Sequence, residues 1–589
     1  MAKPTIKTKW DLTQLYQSPS DPKLETDMQE LTKLAKNFQK RWQGKLTKAS
    51  VKNLKKAIAD FETVYAKVAY AKPFVYVFLS RDIDQSNAKL TKLFNSLHNQ
   101  LTELENYLVF FELELAKRGS VGLHKLAKDK TIAPYGFFIE KIAKTARHQL
   151  TEPEEKILNL TNLSSQSLWI DGVEKALSKK HVTLRGKKIP LNGALEQLYS
   201  LPNTARHKLF KECVIRYKEV ADFAESEMNA LLTHKKVTDN LRGYARPQTK
   251  TIEGYDNTES EIDTLVDTVV SNYPVCHEFF SLKKELFKLD GIHFADRRVN
   301  LAKLPQLTFE YVSQDLLELL ESTKPEYANI FKEMLRQGNI DVHARKNKAG
   351  GGYQLGGIGF RPFILLNYTP GFRAATTLAH EIGHAIHSER SKCQTPLYQD
   401  YSTSAAETAS TFFESLYVDH LIASLPKQQR IPLLHDKIAE EISSIFYTVS
   451  VYRLEEEYHR RLREQGALSN EELVSLMNDF MKQYVGKSAR FHEDDGHFYT
   501  HLGHLRRPFY MYTYAYGHLI SKVMLGRYQE NSEYIEKVDE FLSAGSTKPP
   551  KDIFKGIGIT TTNPKIFQAG IDSLAKDIKE LKRLMRQPN

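Results

Sequence analysis

The stretch Leu378-Ala379-His380-Glu381-Ile382-Gly383-His384-Ala385-Ile386-His387 decides how this chain is read. His380 and His384 stand four apart, so on a helix both imidazoles project from one face and can reach a single metal ion. Glu381, rotated roughly 100° from His380 around a 3.6-residue helix, can face that ion without ligating it and act as general base on an attacking water. Leu378, Ala379, Ile382, Ala385 and Ile386 predict that the rest of the helix is buried. Thr369-Pro370, after an apolar run, signals its start.

A catalytic zinc needs a third protein ligand and an open fourth position. The metzincin continuation would place glycine at 387 and histidine at 390, where this chain has His387 and Arg390, so that option fails. The carboxylates downstream are Glu389, Asp400, Glu407 and Glu414. Glu407 is the best placed, because Ser404-Ala405-Ala406-Glu407 begins a second helix 23 residues after His384. Ser404-x-x-Glu407 also matches a capping box, a purely structural use of the same glutamate. Glu414, two turns on, is suited to orienting a ligand histidine through its free ring nitrogen, and equally to being a plain surface carboxylate.

Outward from the motif, apolar residues recur at three- and four-residue spacing over 24–117, 154–179, 204–240, 258–290, 310–337, 405–425, 433–465, 470–484 and 567–586, which predicts a mainly α protein. One segment departs from this period. Lys346–Tyr368 passes through six glycines into Phe363-Ile364-Leu365-Leu366-Asn367-Tyr368, read as a glycine loop feeding a short strand next to the metal helix. That strand either pairs its edge with an extended peptide or is simply buried. A small hairpin is expected from Val182, and a domain boundary near residue 200, dividing 1–200 from 201–589.

The 589 residues, with 41% hydrophobic and 26% charged side chains, describe a folded globular chain long enough for two domains. The net charge of +11 is spread among alternating acidic and basic residues with no concentrated basic arm, so nucleic acid is not an expected partner. Three scattered cysteines, no apolar leader and no long apolar run point to a cytoplasmic protein without a membrane span. His492, His497 and His501 with Glu493, Asp494 and Asp495 follow no familiar ligand spacing and read as a polar loop along a channel.

With these residues in place, the chain resembles the M3 family of zinc metallopeptidases, in its oligoendopeptidase F branch. The resemblance runs through Trp10-Asp11-Leu12, Pro362-Phe363-Ile364-Leu365-Leu366-Asn367, the His380–His384 helix, Ala406-Glu407-Thr408-Ala409-Ser410-Thr411-Phe412-Phe413-Glu414 and Pro508-Phe509-Tyr510-Met511-Tyr512-Thr513-Tyr514-Ala515. It implies a two-lobed helical clamshell with a deep central channel and one Zn2+ per chain, held by His380, His384 and Glu407. It also implies an endopeptidase acting on short peptides, with Glu381 as base and His504, Tyr510 and Tyr514 facing the metal across the channel. Alternating tyrosines at 510, 512, 514 and 516 leave the pairing open. Tyr514 is the first choice and Tyr510 the second, and an aromatic core stripe is the competing use. A chain-end-trimming zinc peptidase and a non-catalytic peptide-binding protein are the alternative functions.

Overall fold

The three- and four-residue periods become helices along nearly the whole chain, divided wherever the hydrogen-bond ladder is interrupted. The computed structural model describes residues 6–301 and 306–586, so Met1 to Thr5 of the basic N-terminus lie outside the described residues. The run 24–117 divides into Lys23–Trp42, Val51–Val68, Lys72–Ile83, Ala88–Asn106 and Phe110–Ala116. The run 258–290 breaks into Glu259–Ser271 and Tyr273–Leu286, with Pro274 in the first turn of the second. The run 310–337 breaks in the same way before Pro325. An amphipathic face continues across such a break, so periodicity reports which side is buried and not where a helix ends. Two further helices, Ser120–Ala127 and Gly136–Ala146, occupy a stretch that the periodicity leaves unassigned.

Strands are few. The expected hairpin is β1 (His181–Leu184) and β2 (Lys187–Pro190), antiparallel, with Arg185 and Gly186 both at positive φ as a two-residue turn requires. A three-stranded sheet, ordered β3-β5-β4, consists of β3 (Ile340–His343), β4 (Tyr353–Gly357) and β5 (Phe360–Tyr368). This corrects the glycine-loop reading: part of the glycine-rich segment is itself strand β4, turning into β5 at Gly359 with φ 83°. It also decides the two uses of 363–368. β5 is the central strand, paired in parallel with β3 and antiparallel with β4, so its backbone groups are taken. The edge next to the metal helix belongs to β4.

Four consecutive apolar residues on β5 are explained by what covers its two faces. Phe363 and Leu365 pack with Trp10, Val75 and Leu79 from the N-terminal part of the chain, whereas Ile364 and Leu366 join the apolar cluster that contains the metal helix. The Trp10 indole N–H donates to the carbonyls of Asn339 (3.0 Å) and Ile364 (2.9 Å), pinning the chain's start to the back of the sheet. One large cluster runs from Val173 to Leu584 and a second from Tyr16 to Ala143. Residue 200 falls inside the larger cluster, which takes in Val182, Leu191 and Leu198.

Candidate metal centre and catalytic cleft

Helix α1 (Phe372–Ser391) carries the H-E-x-x-H motif, and helix α2 (Thr403–Ser424) packs across it. Gly371 is the N-cap of α1, so Thr369 and Pro370 precede the helix and supply no side-chain cap. The crossing is tight. A Cβ on Gly383 would come within 2.8 Å of Ser410 Cα, so the third residue between the two histidine turns has to be glycine for α2 to come this close. Leu378, Ala379, Ile382, Ala385 and Ile386 are all fully buried, as the flank predicts.

The capping box at Ser404 does not form. Ser402 is the N-cap of α2 and accepts from Ala405 N–H at 3.3 Å, which places Ser404 inside the helix and leaves Glu407 free of capping. Glu407 Oε2 lies 3.8 Å from His380 Nε2. Ligand atoms of His380, His384 and Glu407 all lie within 4.8 Å of one another, a group that could hold a metal ion. The other candidate carboxylates are occupied elsewhere: Glu389 pairs with Lys392 at 2.5 Å, and Asp400 accepts from the hydroxyls of Tyr65 and Tyr70.

Glu414 Oε2 is 2.9 Å from His380 Nδ1. A carboxylate accepts, so Nδ1–H is the donor, and once Nε2 gives up its proton its lone pair points towards the Glu407 side, the tautomer a metal ligand needs. Burial disfavours a charged His380. The hydrogen bond it donates to Glu414 and the negative charges of Glu414, Glu381 and Glu407 outweigh it and raise the imidazole to about 9. The same field that draws a proton there favours a cation. Burial, together with the positive charge at His380, holds His384 well below its usual value, as a neutral ligand. Burial pushes Glu381 up to about 7, against the pull of His380 and with the help of Glu407 and Glu414. The donor set, its tautomer and its field all fit a divalent metal of the zinc type.

Helix α3 (Tyr512–Glu530) packs on α2 and lines the same cavity as His380 through Tyr514 and His518. It too approaches closely, since a Cβ on Gly517 would sit 3.1 Å from Glu407 Cβ. Tyr512 and Tyr516 point away from the cleft, fully buried, with hydroxyls on Asn257 and Glu261. Tyr514 lines the cleft with His380, Glu381, His384 and Glu407, in a cavity of about 720 Å³. Tyr510 precedes the helix, so it does not share a helical face with Tyr514, yet the rings meet at 5.4 Å because Phe509 turns the chain at φ 59°. His504 Nε2 lies 3.5 Å from the Tyr514 hydroxyl, and burial, with Arg507 nearby, lowers the pKa of this imidazole.

Sequence reasoning did not single out Arg298 and Arg373, which line the cavity and both donate to Glu440 at 2.7 Å. It also passed over His518, whose only signal is its place four residues after Tyr514. The polar run 492–501 packs against helices Asn203–Lys218 and Asn470–Val485, away from this cavity. Among the described residues the second convergent group is His207, His293 and Asp296, where Asp296 is already held by the buried Arg206 guanidinium at 2.6 Å.

The sequence pattern of Peptidase family M3 matches residues 197–573, and that of Oligopeptidase F matches residues 114–171. The chain belongs to peptidase family M3. Within it, oligoendopeptidase F is the branch it resembles. Oligopeptidase PepF of Bacillus subtilis is 25% identical over 98% of this chain and 87% of that protein, and an oligoendopeptidase F homolog of Borreliella burgdorferi is 25% identical over 98% of each. A crystal structure of a peptidase from Chlamydophila abortus superposes with TM-score 0.84 at 23% identity, covering 98% of both chains. That of oligoendopeptidase-F from Enterococcus faecium gives 0.70 at 18%, covering 96% and 99%. This M3 chain is a metalloendopeptidase by family, mostly helical like these neighbours. No helix among its described residues is long and apolar enough to cross a membrane.

Proposed function

We propose that this M3 chain is a zinc-dependent endopeptidase of short, unfolded oligopeptides that works in the cytoplasm. His380, His384 and Glu407 would hold one zinc ion per chain, with Glu414 fixing the His380 tautomer. The observation that carries this is the convergence of those three ligand atoms within 4.8 Å, beside a buried Glu381 and in the cavity that Tyr514 also lines. When bound, the ion supplies Lewis-acid polarisation of a carbonyl group. Glu381 takes a proton from the attacking water and delivers it to the leaving amine; burial keeps its carboxylate basic enough for both transfers. The Tyr514 hydroxyl donates to the oxygen on which charge develops, with the Tyr510 ring and His504 beside it.

The edge of β4 beside the cavity supports recognition of peptide main chain, since Tyr353 and Gln354 line it and the strand has a partner on one side only. A cavity of about 720 Å³ suits an extended segment and not a folded domain. Residues 1–200 would form part of a channel wall between two lobes, a reading supported by the Tyr65 and Tyr70 hydroxyls that reach Asp400 just ahead of α2. Mass spectrometry of a peptide blocked at both ends tests the proposal. Internal cleavage that stops on chelation and returns with zinc is expected, and an intact blocked peptide beside a trimmed free one would show a chain-end peptidase instead.

A further inference from the structure

The α3 face that presents Tyr514 to the cleft continues one turn on to His518, which lines the same cavity as His380, Glu381 and Glu440. Several polar groups of this cleft are held by the protein: His380 by Glu414, and Arg298 and Arg373 by Glu440. His518 has a ring that is not held in this way. Its backbone carbonyl accepts from Ser521 Oγ, but its ring makes no hydrogen bond, and Nδ1 is buried without a partner.

Burial lowers this imidazole to about 4, with Lys522 and His380 adding to the effect and Glu414 and Glu440 opposing it, so the ring is neutral and carries one proton. A buried N–H with no acceptor is rarer and costlier than a bare lone pair, which puts the proton on the other nitrogen. Nε2 is not among the buried atoms and has no protein partner, so its N–H is open to the cleft.

We propose that His518 is a substrate-binding donor of the M3 cleft, giving its Nε2–H to a main-chain carbonyl oxygen of the bound peptide. The inference rests on the peptidase reading and adds to it a contact to the substrate's backbone, one turn of α3 from Tyr514. A residue of this kind recognises any peptide bond and reads no side chain. Its donor is free before the substrate arrives, so no protein hydrogen bond has to break for binding.

Steady-state cleavage of a blocked peptide by wild type, His518→Phe and His518→Gln tests it, with zinc content and unfolding temperature measured on each protein. Phenylalanine fills the space without a donor, whereas the glutamine amide restores one. The expected result is a fall in kcat/KM of roughly tenfold or more for His518→Phe, with zinc and unfolding temperature as in wild type, and recovery of most of that loss in His518→Gln. Wild-type kcat/KM in His518→Phe would overturn the inference alone. So would equal losses in both variants accompanied by lost zinc, which would make the residue a packing element. A wild-type chain that loads zinc and cleaves no peptide would overturn the peptidase reading, and the inference with it.

Discussion

The two walls of the cleft are built on opposite principles. On the α1–α2 wall the key polar groups are committed before any substrate arrives. Glu414 fixes His380, Glu407 faces it at 3.8 Å, and a glycine at 383 locks the helices at contact distance. On the α3 wall the polar groups are poised and loosely engaged. Tyr514 and His504 meet at the outer limit of a hydrogen bond, and the ring of His518 has no partner. A metal centre has to be assembled in advance, because its ligands must hold an ion through every turnover, whereas donors to a reacting carbonyl are useful only if they are free to receive it. On the proposed function, the difference marks where substrate binding and metal binding would separate.

Substitutions on the committed wall should therefore change metal content, and those on the poised wall should change rate with the metal intact. The largest effect is expected from Glu407→Ala, which should abolish both zinc and cleavage; elemental analysis giving wild-type zinc in this variant would break the comparison at its strongest point. Tyr514→Phe should keep its zinc and lose roughly 10²–10³ in kcat, the scale for one oxyanion donor, as read from kcat and KM separately. Glu414→Ala should weaken zinc affinity by roughly 10–100-fold, measured by competition with a chelator, because the His380 tautomer is no longer held. Smallest is Gly383→Ala, whose Cβ meets backbone at Ser410 and should cost about 1–3 kcal/mol in thermal unfolding of the zinc-loaded protein.

The committed wall is also the one that was legible in the sequence. Helix period, the four-residue histidine spacing and the buried flank all act within ten residues, and Glu407 stood out by beginning a second helix 23 residues after His384. What the sequence left open was decided by contacts between distant residues. The local exception is the capping-box alternative for Glu407, which fell because the chain caps on Ser402, two residues before Ser404. Tyr512 and Tyr516 were separated from Tyr514 by Asn257 and Glu261, which lie some 250 positions upstream. β4 was hidden because glycine-rich strands have no alternating pattern, and β5 read as a strand of uncertain use because Trp10 covers its second face from the far end of the chain. Periodicity gave helical faces throughout and helix ends poorly, as the breaks before Pro274 and Pro325 illustrate.

The central claim is that Glu381 moves the proton while its neighbours hold the metal. Glu381→Gln, assayed for zinc by elemental analysis and for cleavage of a blocked peptide in the same preparation, tests it most directly. The account predicts one zinc per chain and a loss of cleavage of roughly 10²–10⁴-fold, the scale for removing a general base. Full cleavage by a zinc-loaded Glu381→Gln chain would contradict it.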